Sequence, residues 1–254
     1  EKPGQVYPQC EIGNVDLLFH NAGDGTFEDA TPKMLGGWFG EAYPRTLTRE
    51  TLVSEMNLNK AMGVSWGDFD NDGDQDLYTS NYRLSANFLF QNGDGAFEEV
   101  ASDLHCEGDP DMWNGGIFYG HTTGSSWGDF DNDGWLDLGA GKVGNPNNYL
   151  GQGIPTHDFS DETYLFRSAQ AQSFSDVHTA VGIPWRHRAG APVWGDVNND
   201  GYLDLYLPAT YEAVTADHRS ELLLSRSGEF FDLETAPSGI GERYDGSAVF
   251  ADLN

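Results

Sequence analysis

The chain has 254 residues, 38% of them hydrophobic, enough for an ordinary buried core. Forty-one Asp and Glu against thirteen Lys and Arg leave a formal charge of −28 at pH 7, which excludes nucleic acid and anionic membranes as natural partners and favours cations. There is no run of 18 apolar residues, so no segment reads as a membrane-spanning helix.

The chain opens at Glu1 without Met, which is expected of a processed or trimmed end. The first pattern is "LLFHNAGDGTFEDAT" from Leu17: an apolar strand, a turn of Asn, Gly and Asp, and an alternating strand, the mark of a β-hairpin. Pro32 to Met62 follows as a long connection, with a short helix expected across Thr48 to Leu58. Then comes "WGDFDNDG" at Trp66 to Gly73; the short apolar stretch "GVSW" leads into its Asp-rich turn and "DLYTS" leaves it, both with strand character. A second hairpin, "FLFQNGDGAFEEVA", starts at Phe88.

After a segment rich in Gly, Trp and His, from His105 to Thr123, the octapeptide returns unchanged at Trp127 to Gly134, with the hairpin "YLFRSAQAQSFSDV" from Tyr164. A close variant, "WGDVNNDG", stands at Trp194 to Gly201, with "LLLSRSGEFFDLET" from Leu222; "FADLN" begins the pattern once more. Taking Asp68, Asp129, Asp196 and Asp252 as anchors, the intervals are 61, 67 and 56 residues. A period of this size with four short strands per repeat predicts an all-β fold, a β-propeller of four-stranded blades. The expected division is the end of a blade over 1–31, blade cores over 63–101, 124–177 and 191–235, and the start of a further blade over 247–254. Trp66, Trp127 and Trp194, with Phe250 in the same place, are expected to pack in the core.

The Asp-rich turns carry the chemistry. In the first, Asp68, Asp70, Asp72 and Asp76 hold positions 1, 3, 5 and 9, Gly73 makes the sharp turn at position 6, and Asp74 offers its carbonyl at position 7. The second has Asp129, Asp131, Asp133 and Asp137 with Trp135 at position 7; the third has Asp196, Asn198, Asp200 and Asp204 with Tyr202 at position 7. Hard oxygen ligands at this spacing predict about three structural Ca2+ sites. An EF-hand needs Glu at position 12, where Thr79, Ala140 and Leu207 stand. With one carboxylate fewer, the third site is expected to be the weakest.

Other residues offer weaker signals. Trp113 and His121, in a Gly-rich segment, and the basic cluster Arg186, His187 and Arg188 are candidate ligand-binding residues, weighed against aromatic burial and internal ion pairing. Cys10 and Cys106 either pair or remain as two buried thiols. There is no recognisable hydrolase, zinc, phosphate-loop or dinucleotide motif.

"GVSWGDFDNDGDQDLYTSN" followed by "NFLFQNGDGAFEEVA" resembles the FG-GAP, or VCBS, repeat of integrin α-subunit propellers and many secreted bacterial proteins. The pairing of "WGDFDNDG" with "LFHNAGDGTFEDAT" is similar to repeats of the cartilage acidic protein family. The resemblance implies a propeller, commonly seven-bladed, extracellular or periplasmic, with calcium at the blade edges. At about 60 residues per blade, seven blades take roughly 420 residues, so the expected partners include the rest of a longer chain or neighbouring subunits that complete the propeller. The expected function is a non-catalytic adhesion, binding or scaffold module for an extracellular protein or glycan. The alternatives are a carbohydrate-active propeller, either lectin or polysaccharide lyase, and a subunit of an extracellular filament or matrix.

Overall fold

A computed structural model describes residues 17–30, 60–82, 85–93, 96–113, 116–143, 163–183, 189–209, 220–234 and 248–251. The helix expected across Thr48 to Leu58, the cluster Arg186, His187 and Arg188, Cys10 and the turn at Asp252 lie outside these residues.

The described chain is almost entirely β. A hairpin of β1 (Phe19–Asn21) and β2 (Phe27–Asp29) comes first. Three four-stranded antiparallel sheets follow, each a meander in chain order. The first contains β3 (Lys60–Gly67), β4 (Asp76–Tyr82), β5 (Phe88–Gly93) and β6 (Ala96–Glu99). The second contains β9 (Thr122–Gly128), β10 (Asp137–Lys142), β11 (Tyr164–Ser168) and β12 (Phe174–Asp176). The third contains β13 (Val193–Gly195), β14 (Asp204–Leu207), β15 (Glu221–Arg226) and β16 (Phe230–Leu233). Between the first two sheets the chain forms a one-turn helix, α1 (Ala101–Leu104), and a small hairpin of β7 (Asp111–Trp113) and β8 (Gly116–Phe118).

The sheets share one register. Trp66 pairs with Leu77, Trp127 with Leu138 and Trp194 with Leu205, and one step on, Gly67, Gly128 and Gly195 oppose Asp76, Asp137 and Asp204. The second strand of each sheet is buried along nearly its whole length, which suits the apolar and small residues of "DLYTSNY", "DLGAGK" and "DLYL". Both hairpin turns of a sheet, the Asp-rich loop and the turn between the third and fourth strands, lie at one edge. The connections from second to third strand leave from the opposite edge, and their lengths vary: 5 residues after Tyr82, 21 after Lys142 and 13 after Leu207.

Neighbouring sheets pack by a repeated rule. The indole of Trp127 lies over the Gly67 backbone and that of Trp194 over Gly128, while Phe250 takes the same place over Gly195. A Cβ on Gly67 would lie 2.7 Å from Trp127, and one on Gly128 would lie 2.8 Å from Trp194, so the Gly after each Trp is the seat for the next sheet's aromatic ring. Trp127 also stacks on Phe69 at 6.2 Å and 13°, and Trp194 on Phe130 at 6.2 Å and 7°. Phe174 and Phe231, from the fourth strands, close these two clusters. The first strands touch directly, with a hydrogen bond between the Ser65 and Ser125 hydroxyls at 2.9 Å and one from Ser126 Oγ to the Pro192 carbonyl at 2.6 Å.

Trp127 and Trp194 therefore pack as the repeat predicts. Trp66 does not: although Leu18 beside the β1–β2 hairpin packs against its cross-strand neighbour Leu77 and against Phe90, and its own ring meets Phe97 at 6.2 Å, Trp66 is 47% exposed beside exposed Met62 and Val64. Cys106 is a free thiol at 0% exposure in the core between the first two sheets.

Gly128→Ala drives a methyl group into the Trp194 indole, and is expected to cost about 1–3 kcal/mol by overpacking, read as a lower denaturant midpoint with unchanged slope.

Candidate metal centre

Each acidic loop is built by its own carboxylates. At position 1, Asp68 accepts hydrogen bonds from the N–H groups of Asp72 and Gly73, both at 3.0 Å. Asp129 does the same with Asp133 and Gly134, and Asp196 with Asp200 and Gly201. At position 3, Asp70, Asp131 and Asn198 accept from the N–H of position 5. At position 5, Asp72, Asp133 and Asp200 accept from the N–H of Asp74, Trp135 and Tyr202. The turn requires left-handed backbone twice: at position 4, where Asn71, Asn132 and Asn199 all have φ of 59°, and at position 6, where Gly73, Gly134 and Gly201 have φ of 97°, 90° and 90°. Asn tolerates that region better than most residues, and Gly adopts it without a steric cost.

The aspartate at position 9 ties the loop to the sheet. One oxygen of Asp76 accepts from the Phe69 N–H at 3.0 Å, and the other from the Asn92 N–H at 2.8 Å, at the end of the third strand. Asp137 bridges Phe130 and Ser168 at 3.1 and 2.8 Å, and Asp204 bridges Val197 and Ser225 at 2.9 and 2.8 Å. All three are at most 1% exposed.

Burial is the main force on these carboxyls. It pushes Asp76 up to about 6, with Asp70 and Asp72 adding to the rise against the two backbone donors. Asp137 is raised to about 7, again mainly by burial and with Asp131 and Asp133 contributing, and Asp204 is raised for the same reasons by burial and its neighbours Asp200 and Asp196. Desolvation and like charge are the two penalties that a bound cation offsets.

Carboxylate oxygens of Asp68, Asp70 and Asp76 lie within 4.8 Å of one another, as do those of Asp129, Asp131 and Asp137, so each triad could hold a metal ion. In the third loop Asn198 keeps the fold of its position, with Oδ1 accepting from Asp200 N–H at 2.9 Å and Nδ2 donating to Asp200 Oδ2 at 2.9 Å, but it brings no charge.

The second loop carries a modifier that the Asp spacing does not reveal. Arg167 Nε lies 3.1 Å from Asp131 Oδ2, and its guanidinium covers the Phe130 ring at 4.9 Å. In the first sheet the corresponding residue is Gln91, whose amide donates to Asp70 Oδ2 at 2.6 Å; in the third it is Leu224. Arg167 thus subtracts a charge from the second loop much as Asn198 does from the third, and only the first loop keeps four carboxylates without a basic neighbour among the described residues.

A further link was not assigned from the spacing. Asn71 Nδ2 donates to the Gly134 carbonyl at 3.0 Å and Asn132 Nδ2 to the Gly201 carbonyl at 2.9 Å, joining each loop to the next. The available signal was Asn at position 4 in all three copies.

Of the other candidate residues, His121 stands away from these loops. His121 precedes β9, at the opposite end of that strand from Asp129, and its ring lies 4.7 Å from that of Tyr82 in the first sheet, an inter-sheet packing contact. Trp113 falls on the β7–β8 hairpin.

Asp137→Asn turns an amide NH2 toward the N–H of either Phe130 or Ser168, since both oxygens accept; the expected loss is about 1–3 kcal/mol, measured by denaturant unfolding without added metal. Arg167→Gln places in the second loop the residue type found in the first. The pair is partly exposed, so the expected gain in divalent-cation affinity at that loop is about twofold to fivefold, read by calorimetric titration.

Residues 68–140, from the first ligand position of one loop through the second loop and into β10, match the model of the FG-GAP-like repeat. No curated protein sequence matches the chain. The matched span, less than a third of the chain, holds two acidic loops and the intervening hairpin in their shared register, and over these residues the chain is similar to the FG-GAP-like repeat.

Proposed function

We propose that the chain is a calcium-stabilised stretch of a β-propeller, with the three four-stranded sheets as blades, acting outside the cytosol as a non-catalytic binding, adhesion or scaffold module. The observation that carries this reading is the convergence of carboxylate oxygens in equivalent loops of successive sheets, joined to buried aspartates that are costly to ionise without a counter-charge. An all-oxygen donor set of flexible turns, with position 7 able to add a backbone carbonyl from Asp74, Trp135 or Tyr202, suits calcium better than the smaller, geometrically stricter magnesium.

The proposed compartment is one in which calcium is abundant. Sites of this kind that bind in the upper micromolar to millimolar range fill only where calcium is abundant, which is outside the cell rather than in the cytosol. The FG-GAP-like repeat and the acidic composition agree with that placement.

The propeller reading draws on the packing rule that repeats from sheet to sheet. The exposed Met62, Val64 and Trp66 then mark the face against which a further blade packs, supplied by a longer chain or a neighbouring subunit. An extracellular protein or glycan is the proposed ligand, met by the connections of unequal length rather than by the loops that repeat.

Calcium is expected to stabilise the protein by about 2.7 kcal/mol per site at a hundred times the dissociation constant, provided the unfolded chain does not bind it. Thermal melts in millimolar calcium and in excess chelator measure this. Equal melting temperatures in the two conditions would sink the calcium reading.

A further inference from the structure

The loops are joined by a hydrogen bond that neither the ligand spacing nor the family match assigns. Position 4 lies between two ligand-bearing positions, so its backbone aims the side chains on both sides. Asn71 sits between Asp70 and Asp72, and Asn132 between Asp131 and Asp133. In each case the backbone is left-handed, and the side-chain amide is anchored on the next loop's Gly carbonyl, at 3.0 Å for Asn71 to Gly134 and 2.9 Å for Asn132 to Gly201.

The receiving Gly is itself held by a ligand. The Gly134 N–H donates to Asp129 Oδ2 and the Gly201 N–H to Asp196 Oδ2. A continuous path therefore runs from the position 1 carboxylate of one loop, through the position 6 Gly, to the position 4 Asn that sets the carboxylates of the preceding loop.

We propose that Asn71 and Asn132 are positioning residues that couple calcium binding between adjacent loops, so that filling one loop raises the affinity of its neighbour. The proposal rests on the reading that the loops hold calcium. A cation on Asp129 or Asp196 fixes the Gly carbonyl behind it, which holds the Asn side chain and orders the neighbouring carboxylates before their own cation arrives. The second binding event then loses less conformational freedom than the first. Linkage makes the effect reciprocal: the preceding loop, once filled, strengthens the following one by the same factor. Asn199 holds the same position in the third loop.

The test is calorimetric calcium titration of the whole chain. Asn132→Gly preserves the left-handed backbone and removes only the link. Emptying the third loop with Asp196→Asn is expected to weaken calcium at the second loop about threefold to tenfold when Asn132 is present and not at all in Asn132→Gly, a coupling the size of one hydrogen bond. If Asp196→Asn does not fold, Asn198→Lys empties the loop with an ammonium group and leaves the Asp196 hydrogen bonds in place. Asn132→Gly on its own is expected to weaken both the second and the third loop. Equal losses at the second loop with and without Asn132, or no loss in either background, overturn the coupling and leave the calcium reading standing. Failure of the unaltered protein to bind calcium overturns both.

Discussion

The fold depends on a carboxylate that water does not reach. Asp76, Asp137 and Asp204 each use both oxygens to join the start of an acidic loop to the end of the third strand, while their own backbone opens the second strand. Three parts of a sheet meet at one side chain, and no neutral residue offers two acceptors in that geometry. The cost is electrostatic: a buried group favours its protonated form, and the neighbouring loop carboxylates add to that preference. The same group that organises the sheet therefore creates the local need for a positive charge. Scaffold and candidate metal site are one arrangement.

The second constraint is steric, and it turns one sheet into a series. The Trp–Gly pair supplies a projecting ring and, one residue later, a bare stretch of backbone on which the next ring rests. Because Phe69 and Phe130 lie in the loops, the aromatic contact links the packing between sheets to the conformation of the acidic turns. A loosened loop would also withdraw half of a stacked pair.

Strand number, hairpin positions and the acidic loops were legible because they depend on local sequence: alternation, turn residues and a fixed Asp spacing. What was not legible depends on partners far along the chain. Asn71 and Asn132 look like ordinary turn residues until their acceptors, 63 and 69 residues away, are seen. Arg167 reads as one strand residue in "YLFRS", and only the sheet places it beside Asp131. The β7–β8 hairpin escaped notice because its short strands lie in a segment whose glycines signal a connection more strongly than a sheet. Trp66 shows the opposite limit: its motif is identical to that of Trp127, yet its exposure is set by what stands in front of it.

The two edges of the sheets obey different rules. At one, the acidic loops are fixed by buried acceptors and left-handed residues, with links from the first loop to the second and from the second to the third. At the other, the run from second to third strand is 5 residues long in the first sheet, 21 in the second and 13 in the third, while the registers that follow remain the same. Insertions at that edge cost little beyond loop closure, which grows only slowly with length. The architecture thus separates what must stay constant from what is free to diversify: new recognition surfaces can be added at one edge without retuning the electrostatics of the other.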